Sequence, residues 1–374
     1  MRFLFSFVGG RGHFDPMVPV ARALAARGHQ VAVAGRAVQA VEQAGFRVFP
    51  TGAAAEPAAV RLPMPPVDPA RDDWEIRELF IRRAVPERVP VLLDLCRKWR
   101  PDVVVRDEVD FAAALVAEKL GLPCATVLVL ASETLLRKES ITEPLREARA
   151  GHGLPDDPEP DPGLVLSPFP PTYRAPGTAF TFRAAEPIPP RPRAQRPGVY
   201  FTLGTNFNLE SGDLIERALA GLGRLAADVT ATVGTQLDPA QFGPQPANVR
   251  VERFVRQADL LPHTDLVVSH GGSGGVLGTL THGLPSLLLP MGADQPGNAS
   301  RGVELGTARV LDPETATPEE IHEAAEDLLT DPVWREAAQR VREEINAQPG
   351  AEETAPLLEA LVTASGRGSF RPAP

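Results

Sequence analysis

Residues 265–306, DLVVSHGGSGGVLGTLTHGLPSLLLPMGADQPGNASRGVELG, decide the fold of the second half of this chain. An apolar run at 266–268 ends in Ser269-His270 and passes directly into the glycine-rich residues 271–275, after which apolar residues recur at helical spacing. This order predicts a strand, a glycine-rich turn and a helix. Glycines let the backbone approach a ligand closely, and the free N–H groups at a helix start favour an anion such as phosphate.

A second apolar run at 286–289 ends in PMGADQ, so the polar pair Asp294-Gln295 falls at the carboxyl end of the next predicted strand. In open α/β sheets, ligands bind at the carboxyl ends of the strands. The sequence therefore predicts two neighbouring strand ends that build one ligand site.

The N-terminus repeats the strand, turn and helix order. Residues 3–8 are apolar, 9–13 read GGRGH, and Asp15-Pro16 is a typical helix start, which predicts a helix over 16–27 capped by Asp15. Further strands are predicted at 30–34, 46–49, 102–106, 124–130, 199–203, 229–233, 249–251 and 308–311, with helical patterns between most of them. This alternation predicts doubly wound α/β domains.

A glycine turn after the first strand is also typical of dinucleotide-binding oxidoreductases. Their fingerprint needs Gly or Ala three residues after Gly12, where Asp15 stands. It also needs an acidic residue at the end of the second strand, where Gly35-Arg36 stands. Both departures disfavour the oxidoreductase hypothesis.

Proline-rich residues divide the chain. Residues 183–198, RAAEPIPPRPRAQRPG, lack apolar periodicity and predict a semi-rigid linker. We expect an N-terminal domain over 1–182, a C-terminal domain over 199–365 and a flexible tail over 366–374. Residues 51–70 predict a long surface loop, and Thr317-Pro-Glu-Glu320 predicts a capped helix through 329.

Composition excludes several function classes. The 374 residues carry a net charge of −10, which argues against nucleic acid or an anionic membrane as a partner. Cys96 and Cys124 are too few for a disulfide framework or a zinc site. No signal peptide and no apolar run of about 18–20 residues is present, so we expect a cytoplasmic protein. The chain has no clustered acidic metal motif, so we expect no metal.

The order His270-Gly-Gly-x-Gly, an apolar helix, Gly283-Leu-Pro285, an apolar strand and Asp294-Gln295-x-x-Asn298 resembles the donor-binding signature of family-1 glycosyltransferases. In particular it resembles the bacterial enzymes that glycosylate small natural products. The resemblance implies the GT-B fold, with two facing Rossmann-like domains. The C-terminal domain would bind a nucleoside-diphosphate sugar and the N-terminal domain an acceptor.

The resemblance also implies catalytic roles. His13, in Gly12-His13-x-x-Pro16, matches the histidine that deprotonates the acceptor hydroxyl, and Asp107 matches the aspartate that orients this base. A histidine pKa near 6.5 suits a general base. The alternative for Asp107, and for Asp110, is a helix cap.

Donor-binding roles follow in the same way. The implied residues are Thr205, Val255, Gln257, His270, Gly271, Gly272, Ser273, Gly274, Gly275, Asp294 and Gln295. His270 and Thr205 would contact phosphate, with a plain turn hydroxyl as the alternative for Thr205. Asp294 and Gln295 would bind sugar hydroxyls, and the nucleobase would lie near Val255 and Gln257. The family usually has Thr or Ser where Gly275 stands, and Ser273 is the candidate to replace that hydroxyl.

We therefore expect an inverting, metal-independent glycosyltransferase. It would move a sugar from a UDP- or TDP-linked donor to a hydroxyl of a small, lipophilic aglycone, with no cofactor beyond this co-substrate. A lipid-linked or cell-wall acceptor is the alternative within the enzymes. A catalytically silent nucleotide-sugar-binding protein is the alternative outside them. The chain is expected to act alone or as a homodimer.

Overall fold

A computed structural model describes residues 1–52, 61–157, 162–192, 195–205 and 207–365. The chain forms two compact units. The first is built from residues 1–55, 70–186 and 348–374, and the second from 56–69 and 187–347, as far as these ranges are described. The predicted tail at 366–374 lies outside the described residues.

The first unit is built on a seven-stranded sheet in the order β3-β2-β1-β4-β5-β6-β7, and every pairing in it is parallel. The strands are β1 (Arg2–Ser6), β2 (Gln30–Gly35), β3 (Arg47–Pro50), β4 (Val103–Asp107), β5 (Cys124–Val127), β6 (Leu164–Ser167) and β7 (Phe180–Thr181). The helices between them are α1 (Arg11–Phe14), α2 (Val18–Ala26), α3 (Val38–Gln43), α4 (Pro69–Trp74), α5 (Ala84–Trp99), α6 (Phe111–Leu120) and α7 (Lys138–Gly151). Since β1 and β4 are buried over nearly their whole length, they form the centre of this core.

The second unit repeats the plan with a six-stranded parallel sheet in the order β10-β9-β8-β11-β12-β13. Its strands are β8 (Gly198–Thr202), β9 (Asp228–Thr232), β10 (Val249–Glu252), β11 (Leu266–Ser269), β12 (Ser286–Leu288) and β13 (Ala308–Val310). Its helices are α8 (Leu214–Leu222), α9 (Gln257–Leu260), α10 (Ser273–Thr281), α11 (Gln295–Glu304), α12 (Pro318–Thr330) and α13 (Pro332–Ala347). The two units are Rossmann-like α/β halves, and the predicted fold class is confirmed.

The strand order shows the switch point of each sheet, which is the place where the direction of strand addition reverses. In the first unit the order reverses between β1 and β4, and in the second unit between β8 and β11. Ligands of doubly wound sheets bind in the crevice outside the carboxyl ends of the strands at such points. The loops after these four strands are therefore where each unit should carry its site.

The C-terminal helix α14 (Thr354–Ser365) packs in the first unit, so the predicted domain boundary over 199–365 is wrong at its end. Ala355 and Leu358 are fully buried in one cluster with side chains of β1 and α2. Glu359 accepts hydrogen bonds from Arg27 at 2.7 and 2.8 Å. The apolar periodicity shows that this helix has a buried face, but not which core the face meets.

The region from Pro69 to Trp99 is one continuous helical stretch. Its middle part, Glu75–Arg83, is a π-helix, which shifts the side-chain register between α4 and α5. Such segments are rare and occur often at functional sites. No helix among the residues in the five described ranges is long and apolar enough to cross a membrane.

Candidate active site

His13 and Asp107 lie on the two sides of the first switch point. His13 follows β1, and Asp107 is the last residue of β4. The His13 Nδ1 atom lies 3.2 Å from an Asp107 carboxylate oxygen. Asp107 is fully buried, whereas the His13 side chain is 22% exposed. The structure thus brings together the two residues that the sequence predicted as a pair.

Asp107 is held rigidly, and it does not cap a helix. One carboxylate oxygen accepts the Val8 N–H at 2.9 Å, and the other accepts the Val109 N–H at 2.7 Å. The cap of α6 is Asp110, which accepts the Ala113 N–H at 3.1 Å. Of the two aspartates that the sequence offered as a helix cap, Asp110 therefore caps α6, and Asp107 lies beside His13.

His13 lies in α1, which begins before the helix predicted from residue 16. Asp15 caps no helix, contrary to the prediction, because its carboxylate pairs with Arg11 at 2.9 Å. The first helix begins earlier than predicted because the backbone is already helical after Gly10. His13 is consequently positioned by a helical backbone and not by a loop.

Two residues that the sequence did not indicate fix the His13 ring. A β-carbon on Gly9, whose φ is +93°, would lie 2.8 Å from the ring atoms Cδ2 and Nε2. On the other side, the Phe80 ring stacks at 6.2 Å between centroids, with 28° between the planes. Phe80 belongs to the π-helical segment, whose altered register no simple apolar period reveals. Gly9 could have been found from its place directly after β1.

A buried ionic network lies beneath this pair. Arg88 of α5 and Asp110 are each 1% exposed and pair at 2.6 Å. The Ser6 hydroxyl donates to the same Asp110 oxygen at 2.6 Å, and Arg88 also donates to the Thr51 hydroxyl at 2.6 Å. Since a buried charge is tolerated only when it is paired, these contacts hold the ends of β1, β3 and β4 together.

His270 lies at the second switch point, directly after β11. Two glycines enclose its ring: a β-carbon on Gly204 would lie 2.8 Å from Cε1, and one on Gly272 would lie 2.7 Å from Nε2. The Phe207 ring packs against it at 5.6 Å between centroids. These glycines are therefore required by the histidine ring itself, in addition to any ligand. Gly204 and Phe207 were not singled out from the sequence for this packing.

Burial lowers the pKa of His270 from 6.5 to about 4, and the Thr202 backbone opposes this shift only in part. The ring is therefore neutral at pH 7. Between pH 6.5 and about 4, His270 is protonated in the unfolded chain but stays neutral in the folded chain. The stability that the neutral ring contributes is thus complete above pH 6.5 and is lost as the pH falls toward 4.

We expect urea unfolding to show this loss as a drop on the order of 3 kcal/mol between pH 7 and pH 4. The variant His270→Asn should lose much of the dependence. A remainder should persist because burial also lowers the pKa of His282. Equal pH dependence in the wild type and the variant would contradict the assignment.

The start of α10 offers backbone N–H groups to an anion. Gly272 is the N-cap residue, and α10 begins at Ser273. A β-carbon on Gly274 or Gly275 would meet nothing within 4 Å. The first turn of this helix is therefore open on the side where these two glycines lie, as a phosphate site requires.

The open space at Gly275 makes the hydroxyl contact that the family resemblance implies there testable. We expect Gly275→Ser to be accommodated without rearrangement and to raise the affinity for TDP roughly tenfold, because a hydrogen bond to a charged group contributes about 1.5–3 kcal/mol. Calorimetric titration with TDP measures this, with Gly275→Ala as the control that adds the β-carbon alone. Equal affinities for the Ser and Ala variants would exclude a hydroxyl contact.

Ser273, Asp294 and Asn298 form a buried network across the starts of α10 and α11. The Ser273 hydroxyl donates to Asp294, and the Asn298 amide lies 2.8 Å from the same Asp294 oxygen. The Asn298 amide also donates to the Gly271 carbonyl at 2.9 Å. The Ser273 hydroxyl, which was expected to replace the missing hydroxyl at 275, therefore donates to Asp294 in this structure. Burial raises the pKa of the Asp294 carboxyl, and the Ser273 and Asn298 hydrogen bonds oppose that shift.

The other predicted donor residues lie around this network. Gln295 is buried, and its side-chain oxygen accepts the Met291 N–H at 2.7 Å. Gln257 begins α9, and its amide lies 3.4 Å from the Gly275 carbonyl, so it touches α10. Val255 is half-buried just before it, and Thr205 is exposed in the turn after β8. Within the residues that the structure describes, no group of three or more His, Cys, Asp or Glu side chains could hold a metal ion.

Comparison with known proteins agrees with this arrangement. Residues 73–165 and 216–361 match the family models of the N-terminal and C-terminal domains of erythromycin biosynthesis protein CIII-like proteins. The chain is 29% identical to 4'-demethylrebeccamycin synthase of Lentzea aerocolonigenes, over 96% of this chain and 99% of that protein. It is 28% identical to oleandomycin glycosyltransferase of Streptomyces antibioticus, over 96% and 90% of the two chains.

Solved structures show the same likeness. The glycosyltransferase SnogD from Streptomyces nogalater is 30% identical with a TM-score of 0.75, over 97% of this chain and 99% of that one. The glycosyltransferase VinC, in complex with DTDP, is 26% identical with a TM-score of 0.77, over 98% of this chain and 100% of that one. This chain therefore belongs to the erythromycin biosynthesis protein CIII-like family of natural-product glycosyltransferases, which are family-1 enzymes of the GT-B fold.

Proposed function

We propose that this protein transfers a sugar from a nucleoside-diphosphate sugar to a hydroxyl of a small, lipophilic natural product, with inversion at the anomeric carbon. The observation that carries the proposal is the 3.2 Å pair of His13 and Asp107 at the carboxyl ends of β1 and β4. A buried carboxylate beside Nδ1 favours the tautomer with the proton on that atom, so Nε2 is the basic nitrogen.

The reaction is a single displacement. The acceptor oxygen attacks the anomeric carbon while its proton passes to His13 Nε2. The bond between the anomeric carbon and the phosphate oxygen breaks, and its electron pair leaves with the nucleoside diphosphate. One displacement inverts the configuration at this carbon. Asp107 stabilises the imidazolium that forms.

The leaving group needs stabilisation as its negative charge develops. We assign this role to the N–H groups at the start of α10, to neutral His270 and to Thr205. A helix start stabilises an anion through its dipole and its free donors, so this proposal includes neither a metal nor a further cofactor. Asp294 and Gln295 are assigned to the hydroxyls of the donor sugar, and Val255 and Gln257 to the nucleobase.

We propose TDP over UDP as the nucleotide, because the related structure of VinC holds DTDP. The lipophilic acceptor is supported by the helical stretch that carries Phe80. On the same stretch Trp74 is 54% exposed and Leu79 is 36% exposed. Exposed apolar side chains on the helical stretch that packs against the base favour an apolar substrate surface over a sugar-like one.

The test incubates the enzyme with TDP- and UDP-sugars of known anomeric configuration and a panel of hydroxylated aglycones. Mass spectrometry detects product, and the proton coupling constant at the anomeric carbon gives its configuration. We expect a product with inverted configuration from TDP-sugars. A retained configuration would overturn the single displacement. Binding of TDP without turnover on any aglycone would favour a silent nucleotide-sugar-binding protein.

A further inference from the structure

Residues 61–69 follow β3 in the sequence, yet they pack in the second unit. The Leu62 N–H donates to the Leu209 carbonyl at 2.6 Å, and the Gly212 N–H donates to the Leu62 carbonyl at 3.2 Å. Met64 packs against the core of the second unit. We name residues 61–67 the strap. It is an integral part of the unit that carries the donor residues.

Arg61 is the main side-chain anchor of the strap. Its guanidinium pairs with both oxygens of Glu216 on α8 at 2.7 and 2.8 Å, and it also donates to the Gly212 carbonyl. The same group lies 5.3 Å from the centroid of the Phe242 ring. Such a bidentate pair fixes geometry as well as adding energy. Arg61 is 18% exposed and Glu216 is 47% exposed, so solvent screens this pair only in part.

The strap holds a short connection, residues 207–212, which contacts a residue of the donor site. This connection begins with a 3-10 helix at Phe207–Glu210 and leads into α8. The strap binds the far end of this connection, at Leu209 and Gly212. At the near end, Phe207 packs on His270, and Gly204 lies against the same ring. A shift of this short connection would therefore change the contact between Phe207 and the His270 ring.

We propose that Arg61 is a positioning residue for the nucleoside diphosphate, acting through the 207–212 connection on His270. The inference rests on the proposed function, because it assumes that His270 contacts the diphosphate. Arg61 itself makes no contact with the donor in this proposal. Its role is to reduce the number of conformations of the connection, so that donor binding costs less conformational entropy.

The test measures TDP affinity by calorimetry and the KM values and kcat with a nucleotide sugar in the full chain. We expect Arg61→Met to raise the TDP Kd and the donor KM about tenfold, with kcat at saturating donor and the acceptor KM within about twofold of wild type. The control is Arg224→Met, because Arg224, just after α8, also pairs with both carboxylate oxygens of a glutamate, Glu319 of α12. This control should leave TDP affinity unchanged.

A charge reversal separates positioning from general destabilisation. Arg61→Glu and Glu216→Arg should each weaken TDP binding, and the double variant should recover most of it. Unchanged TDP affinity in folded Arg61→Met, or no recovery in the double variant, would overturn the proposal. The proposed function fails separately, if the wild-type protein itself does not bind TDP or UDP.

Discussion

His13→Ala is expected to lower kcat by roughly 10²–10⁴, the contribution of a positioned general base. TDP affinity should stay within about twofold of wild type, because His13 acts on the acceptor proton and not on the diphosphate. Initial rates at saturating substrates give the first quantity, and calorimetric titration with TDP gives the second.

The matched control is His29→Ala in the same unit. His29 precedes β2, at the amino edge of the sheet, and pairs with Glu359 of α14 at 2.7 Å. Its removal should lower stability without changing kcat. An unchanged kcat in His13→Ala would reject the base, and a lost TDP affinity in the same variant would show that His13 serves donor binding.

The second large effect is expected for Gly272→Ala, on TDP affinity. The backbone of Gly272 has φ −62° and ψ 146°, which any residue can adopt, so the backbone itself is not strained. The added methyl group would, however, lie 2.7 Å from His270 Nε2, and Gly204 also lies against that ring. The ring or the helix start must therefore move, which typically costs about 1–3 kcal/mol.

We expect TDP affinity to fall roughly tenfold to a hundredfold in Gly272→Ala, in keeping with that cost. Gly275→Ala is the control, because its β-carbon meets open space in the same helix. Calorimetry of both variants, with urea unfolding to confirm that each is folded, makes the comparison. Equal losses in the two variants would mean that any methyl group at this helix start is harmful, and would remove the role given to the His270 ring.

Much of the fold could be predicted from periodicity alone. The capping box of α12 was predicted at the residues where it occurs, because its signals are local. The sequence also indicated which side chains come after central strands. His13, Asp107 and His270 each follow a buried apolar run, and parallel strands present their carboxyl ends at one edge.

Contacts with a partner distant in sequence could not be predicted. Ser273 was expected to serve a phosphate, and nothing in the sequence indicated that its hydroxyl donates to Asp294 at the start of α11. Phe80, which stacks on His13, lies in a π-helix, whose register no 3.6-residue period predicts. Arg61 lies in a loop of low periodicity, and its partner Glu216 is found only in the folded chain.

The sequence by itself determined that two parallel-sheet halves form and which residues end their central strands, since apolar period and glycine position act over a few residues. Only the tertiary structure decided which core each remaining segment joins. Helix α14 packs in the first unit and the strap in the second, because an apolar face or a charged side chain specifies that it needs a partner but not which one.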